Sequence, residues 1–172
     1  MLPRKLLLAL IVVLVSATFV LAYVLLANNV PEHDSSKNVI NIDFKYGVGA
    51  KNELNTFEGT YTKDLIVDGT ITTRLILSSE ELRQIQQKMI DIGFYNYPND
   101  FPPQPGLRVD PREDYYIKVQ NGSTVKEVTW NTESMIDGSI QDNLGQLVSF
   151  LGNIIVQKPE YKMLPPTKGG YL

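Results

Sequence analysis

This chain predicts an α+β fold: an N-terminal transmembrane helix, then a two-layer domain with an antiparallel sheet of about five strands and two amphipathic helices on one face. Three observations carry that expectation. Residues 6–27 contain no charge, two later stretches repeat apolar residues at the helical period, and Asp68-Gly69 and Asn121-Gly122 each divide a pair of β-rich runs. No strand–helix–strand unit demands a parallel crossover, so the strands are expected to be antiparallel.

The run Leu6–Ala27, LLLALIVVLVSATFVLAYVLLA, has fifteen Leu, Ile, Val or Phe among its 22 residues. As a helix it reaches roughly 33 Å, enough for a hydrocarbon core of about 30 Å. Arg4 and Lys5 precede it, and Asn28, Asn29, Glu32 and Asp34 follow. The positive-inside rule then places residues 1–5 in the cytoplasm and everything after the 6–27 anchor outside the cytoplasmic membrane. An uncleaved signal-anchor is expected. Cleavage after Ala27 would put Leu25 where a signal peptidase needs a small residue. The membrane is thus the first expected partner.

Composition narrows the function classes. The chain has 16 basic and 19 acidic residues; setting aside Arg4 and Lys5 leaves 14 against 19 beyond the anchor, a net charge of −5. That sign disfavours nucleic acid. With no cysteine there is no disulfide framework and no lipid-bearing thiol. The domain expected at 39–158 must therefore rest on an apolar core, with a tether at 28–38 and a tail at 159–172.

In chain order, Ile40, Ile42, Phe44, Tyr46 and Val48 alternate with polar residues, the pattern of a half-buried strand. Residues 47–55 read as a loop. Runs 56–67 and 70–77 follow, and a two-residue turn at Asp68-Gly69 sets Ile66 across from Ile71 and Lys63 across from Arg74. Ser78 and Glu81 form a capping box, Leu77 and Leu82 have staple spacing, and Leu82, Ile85, Met89 and Ile92 line one helical face. Gly93 stands where a helix C-terminus favours positive φ. A second hairpin turning at Asn121-Gly122 pairs Tyr115 with Val128 and Glu113 with Trp130. The last helix, about 139–156, carries Ile140, Leu144, Leu147, Val148, Leu151, Ile154 and Ile155 on one face. Gly145 and Gly152 are expected to let it approach the sheet closely, and Pro159 to stop it.

The hairpin at "VDG", the helix in "LILSSEELRQIQQKMIDIGFYNYP", the hairpin "DYYIKVQNGSTVKEVTW" and the closing helix together resemble small extracytoplasmic domains of uncharacterised membrane-anchored proteins and lipoproteins of Bacillus-type bacteria. The likeness covers roughly residues 57–157. It implies location and fold class, and it brings no catalytic residues. The chain departs from many such proteins in lacking the lipid-bearing cysteine.

For chemistry, the only histidine, His33, falls in the tether, so a Ser-His or Cys-His nucleophile and a zinc site are disfavoured. No catalytic, metal or cofactor residue is assigned. Asp110, Glu113 and Asp114 form the one local acidic cluster, readable as a solvated strand entrance, as a calcium site completed by backbone carbonyls although the spacing matches no calcium loop, or as carboxylates for a hydrolase. The loop 94–112 has five prolines, and its Tyr95, Tyr97 and Phe101 read either as a cap on the core or as a contact surface. A non-enzymatic binding or accessory module of the bacterial cell envelope is expected, its partner an envelope protein, a peptide or a glycan. The alternative is a cell-envelope hydrolase built on the acidic cluster.

Overall fold

A computed structural model describes residues 40–171. The expected anchor at Leu6–Ala27, the expected tether and His33 lie outside the described residues, among which no helix is long and apolar enough to cross a membrane. Six strands form one antiparallel sheet: β1 (Asn41–Tyr46), β2 (Asn52–Asn55), β3 (Thr60–Asp64), β4 (Thr70–Arg74), β5 (Asp114–Asn121) and β6 (Thr124–Asn131). Their order across the sheet is β4-β3-β2-β1-β5-β6, so β1 is central and β4 and β6 are the edges. Two helices, α1 (Ser79–Asp91) and α2 (Gly138–Gln157), meet one face, and a short helix α3 (Pro159–Lys162) follows.

Alternation decides which face is buried. Ile42 and Phe44 of β1, Leu54 of β2, Tyr61 of β3, Ile117 and Val119 of β5 and Val128 of β6 are almost wholly buried. They share one core with Leu82, Ile85 and Met89 of α1 and Leu144, Leu147, Leu151 and Ile155 of α2. The capping box stands as expected: Ser78 Oγ accepts from the Glu81 amide, and the Glu81 carboxylate accepts from the Ser78 amide. Gly93 has φ +71. Lys158 donates to Glu81 and Lys88 to Gln146, linking the two helices outside the core.

The sheet has six strands, one more than expected. The addition, β2, reads NELN and holds a single apolar residue, so no alternation announces it; it is made by pairing with β1 and β3 on both sides.

The first hairpin corrects the expected register. Lys63 faces Ile71, and Arg74 faces Thr60. The reason is parity. A two-residue turn at Asp68-Gly69 sets Leu75 and Leu77 on the face opposite Tyr61. Burying all three on one side requires a loop with an odd residue count. The chain uses five residues, Leu65–Gly69, closed by the Leu65 amide on the Gly69 carbonyl at 2.8 Å. Leu75 and Leu77 are buried in consequence, and Ile76 is half exposed.

The second hairpin turns one residue later than expected, at Gly122-Ser123, with Asn121 paired to Thr124. Gly122 is the turn residue with positive φ (+59), which suits the first central position of a II′ turn. Tyr115 therefore faces Trp130. Each pair moves by two residues, so every side chain keeps its face.

Two segments outside regular structure are tied down. The proline-rich loop pairs with the outer edge of β6 and then with the turn after it: the Thr129 amide donates to the Asn99 carbonyl (2.8 Å), and beyond the strand Gln104 donates to Glu133 (2.7 Å) and Met135 to Pro102 (2.7 Å). Lys126 Nζ clamps the loop at the Tyr97 carbonyl and Asn99 Oδ1. This strap blunts an edge that otherwise invites another strand. Pro159 ends α2 and opens α3, whose Tyr161 packs edge-on against Tyr61 (centroids 5.5 Å apart). The tail beyond returns to β3: Lys63 donates to the Pro165 carbonyl, Thr167 to the Asp64 carbonyl and Tyr171 to the Asp64 carboxylate.

Candidate functional site

Of the two readings open for Tyr95, Tyr97 and Phe101, the structure shows the cap on the core and not the contact surface. Tyr97 and Phe101 are each only 8% exposed, and Tyr95 is half-buried against the same core. These rings do not form an exposed rim. They fill the corner where α1 meets the sheet, around the fully buried Phe94, whose ring lies 6.0 Å from those of Tyr95 and Tyr97. The Tyr97 hydroxyl donates to the Ile92 carbonyl (2.5 Å) and accepts from Asn143 (3.2 Å). The Tyr95 hydroxyl is buried and has no hydrogen-bond partner among the described residues.

The acidic cluster does not converge. Arg112 Nε holds Asp114 at 3.0 Å, and Glu113 turns away to accept from the Tyr115 hydroxyl at 2.5 Å. Asp110 and Asp114 line an open depression of about 560 Å³ together with Arg108, Arg112 and Glu133, while Glu113 is not part of it. Among the described residues no three His, Cys, Asp or Glu side chains are grouped to hold a metal.

The best-formed concavity lies elsewhere, between α2 and the end of the β5–β6 hairpin, with a volume of about 340 Å³. Tyr115 and Trp130, opposite each other in register, stack in its floor with centroids 5.1 Å apart and planes 9° apart. One wall is the turn after β6. There the Asn131 side chain accepts from the Glu133 amide (2.8 Å), Ser134 Oγ from the Asn131 amide (2.9 Å) and Thr132 Oγ1 from the Glu113 amide (3.2 Å). The other wall is α2, where Gln141, Leu144, Gly145, Val148 and Ser149 fall at helical spacing on one side.

Gly145 keeps this groove open. A Cβ built there meets no atom within 4 Å, and the same holds at Gly152, so neither glycine serves the close approach to the sheet that the sequence suggested. Among the described residues no charged side chain lines the groove. Burial, reinforced by the Glu113 carboxylate, pushes the Tyr115 phenol far above its ordinary range, so it remains a neutral donor. The floor is thus aromatic and apolar, and the walls offer uncharged amides and hydroxyls.

Sequence reasoning missed this groove because the expected register set Glu113 against Trp130 and separated the two rings. A legible signal was present in Gly145, a helix-disfavouring residue between Leu144 and Leu147 with no packing reason to be small. No family model matches the chain, and no curated protein matches it.

Proposed function

We propose that this protein is a non-catalytic binding module of the bacterial cell envelope, held outside the cytoplasmic membrane by Leu6–Ala27, with the α2–β6 groove as its ligand seat. The observation that carries the reading is the groove itself: about 340 Å³, floored by the Tyr115–Trp130 stack and walled by neutral polar groups. That combination suits a neutral, hydroxyl-bearing ring such as a saccharide unit. Its C–H face packs on apolar and aromatic surface while its hydroxyls meet the Gln141 amide and the Ser149 and Thr132 hydroxyls. The location rests on the charge asymmetry around the anchor. A carboxylate hydrolase has less behind it, because Asp114 is occupied by Arg112 and Glu113 by Tyr115.

Trp130 is the only tryptophan, so its emission reports on the groove. Titrating the full chain in detergent with N-acetylglucosamine oligomers should give a saturable change in that emission. Gly145→Leu should abolish the change without lowering the melting temperature. A parent protein that stays silent to millimolar oligomer would remove the saccharide reading.

A further inference from the structure

The two edges of the sheet are treated differently. β6 is paired near its C-terminal end, at Thr129, by Asn99 and Asp100 of the strap, and the rest of that edge carries Lys126 and Glu127. β4, with the sequence TITTR, hydrogen-bonds to β3 on one side and to no other backbone segment among the described residues on the other. It contains no proline, no lysine and no bulge.

The ladder identifies the free groups. The Leu65 amide bonds to the Gly69 carbonyl and the Leu75 amide to the Gly59 carbonyl, one pair at each end of the β3–β4 register. Antiparallel pairing alternates, so Ile71 and Thr73 also direct their backbone groups at β3. The amides and carbonyls of Thr70, Thr72 and Arg74 therefore point outward. Thr62 and Thr72, whose hydroxyls lie 2.8 Å apart, fit the close side-chain approach of a non-hydrogen-bonded pair.

We infer that β4 is a self-pairing edge, and that its occupant is β4 of a second copy of this chain, antiparallel about a two-fold axis at Thr72. The outward groups are self-complementary. Thr72 exchanges two bonds with its own counterpart, and Thr70 of each copy exchanges two with Arg74 of the other. The flanks match as well. Arg74, which has no ion pair among the described residues, comes alongside the other copy's Asp68, an exposed carboxylate held only by exposed Lys168 at 2.9 Å. Val67, 71% exposed, and Ile76, 51% exposed, lie at opposite ends of the strand, so the same axis brings each toward the other's counterpart. Like residues meet only at Thr72, where the pair is neutral.

The absence of cysteine from the chain makes the test direct. Full-length protein in detergent carrying Thr72→Cys should oxidise to a disulfide dimer about tenfold faster than protein carrying Val125→Cys on the β6 edge, since opposed strand residues lie within disulfide reach. Thr72→Pro removes an outward amide, which an edge strand tolerates, and should sediment as one copy where the parent sediments as two. Equal oxidation of the two cysteine variants, or a parent protein that sediments as one copy at every concentration, overturns the inference.

Discussion

Asp43 lies 3.7 Å from Lys45 at the centre of the open sheet face, and yet Asp43 Oδ1 is buried without a hydrogen-bond partner. Lys45 is shared, for its ammonium is closer to Glu53, at 3.3 Å. Burial, with Glu53 adding repulsion and Lys45 and Lys118 opposing it, raises Asp43 to about 6.

The folded state therefore holds this proton more tightly than the unfolded chain does. An acid raised in this way contributes stability below its unfolded pKa, about 4, and that contribution is lost as pH rises toward 6. Asp43→Asn should match the parent in denaturation midpoint near pH 3.5 and exceed it by a growing margin up to pH 6.5. A margin independent of pH would show that the carboxylate is not the cause.

Tyr95 and Tyr97 should respond oppositely to loss of a hydroxyl. Tyr95→Phe removes an unpaired buried group and should leave stability unchanged or raise it by about 1 kcal/mol. Tyr97→Phe breaks the bonds to Ile92 and Asn143 and should cost about 1 kcal/mol. Urea denaturation of both variants checks the signs. Phe101→Ala, a core truncation, should cost about 3–5 kcal/mol.

Gly122→Val should cost about 1 kcal/mol or more, because a β-branched residue at φ +59 is strained even though a Cβ there meets nothing within 4 Å. Val at Gly145 should be milder, since that backbone is helical and the space is open. Comparing the two melting temperatures separates backbone strain from crowding.

Lys126→Met should release the strap from β6 while the core stays intact. Hydrogen exchange at the Thr129 amide, which donates to the Asn99 carbonyl, should speed up by an order of magnitude or more, with little change at Val119 in the core.

The helices were legible because each is written locally: Ser78 and Glu81 sit three apart, and the apolar residues of α2 recur at the helical period. The faces of β5 and β6 were legible because alternation survives a shift of two. What could not be read locally was parity. Whether Leu75 or Ile76 turns inward depends on Tyr61, fourteen or more residues away, and outweighed the Asp68-Gly69 turn signal. β2 has one apolar side chain and exists because two neighbours pair with it. The aromatic residues of 94–101 admitted two readings, core cap or contact surface, because composition marks a loop without saying what it lies against. The groove joins Tyr115 to residues as distant as Ser149, which only the assembled register brings together.

Unlike edges also limit growth. A sheet open on both sides can add copies indefinitely, which is the route to fibrils. Here Asn99 and Asp100 of the strap pair with β6 at Thr129, and Lys126 and Glu127 place charge on the rest of that edge, so two copies joined through β4 would present guarded ends to any third arrival. On the inferred β4 pairing, addition would terminate after a single step and yield a closed pair. The strap and the charged edge would thus act as terminators of polymerisation. Loosening the strap, with the core left untouched, is the change that would convert a pair-forming protein into a fibre-forming one.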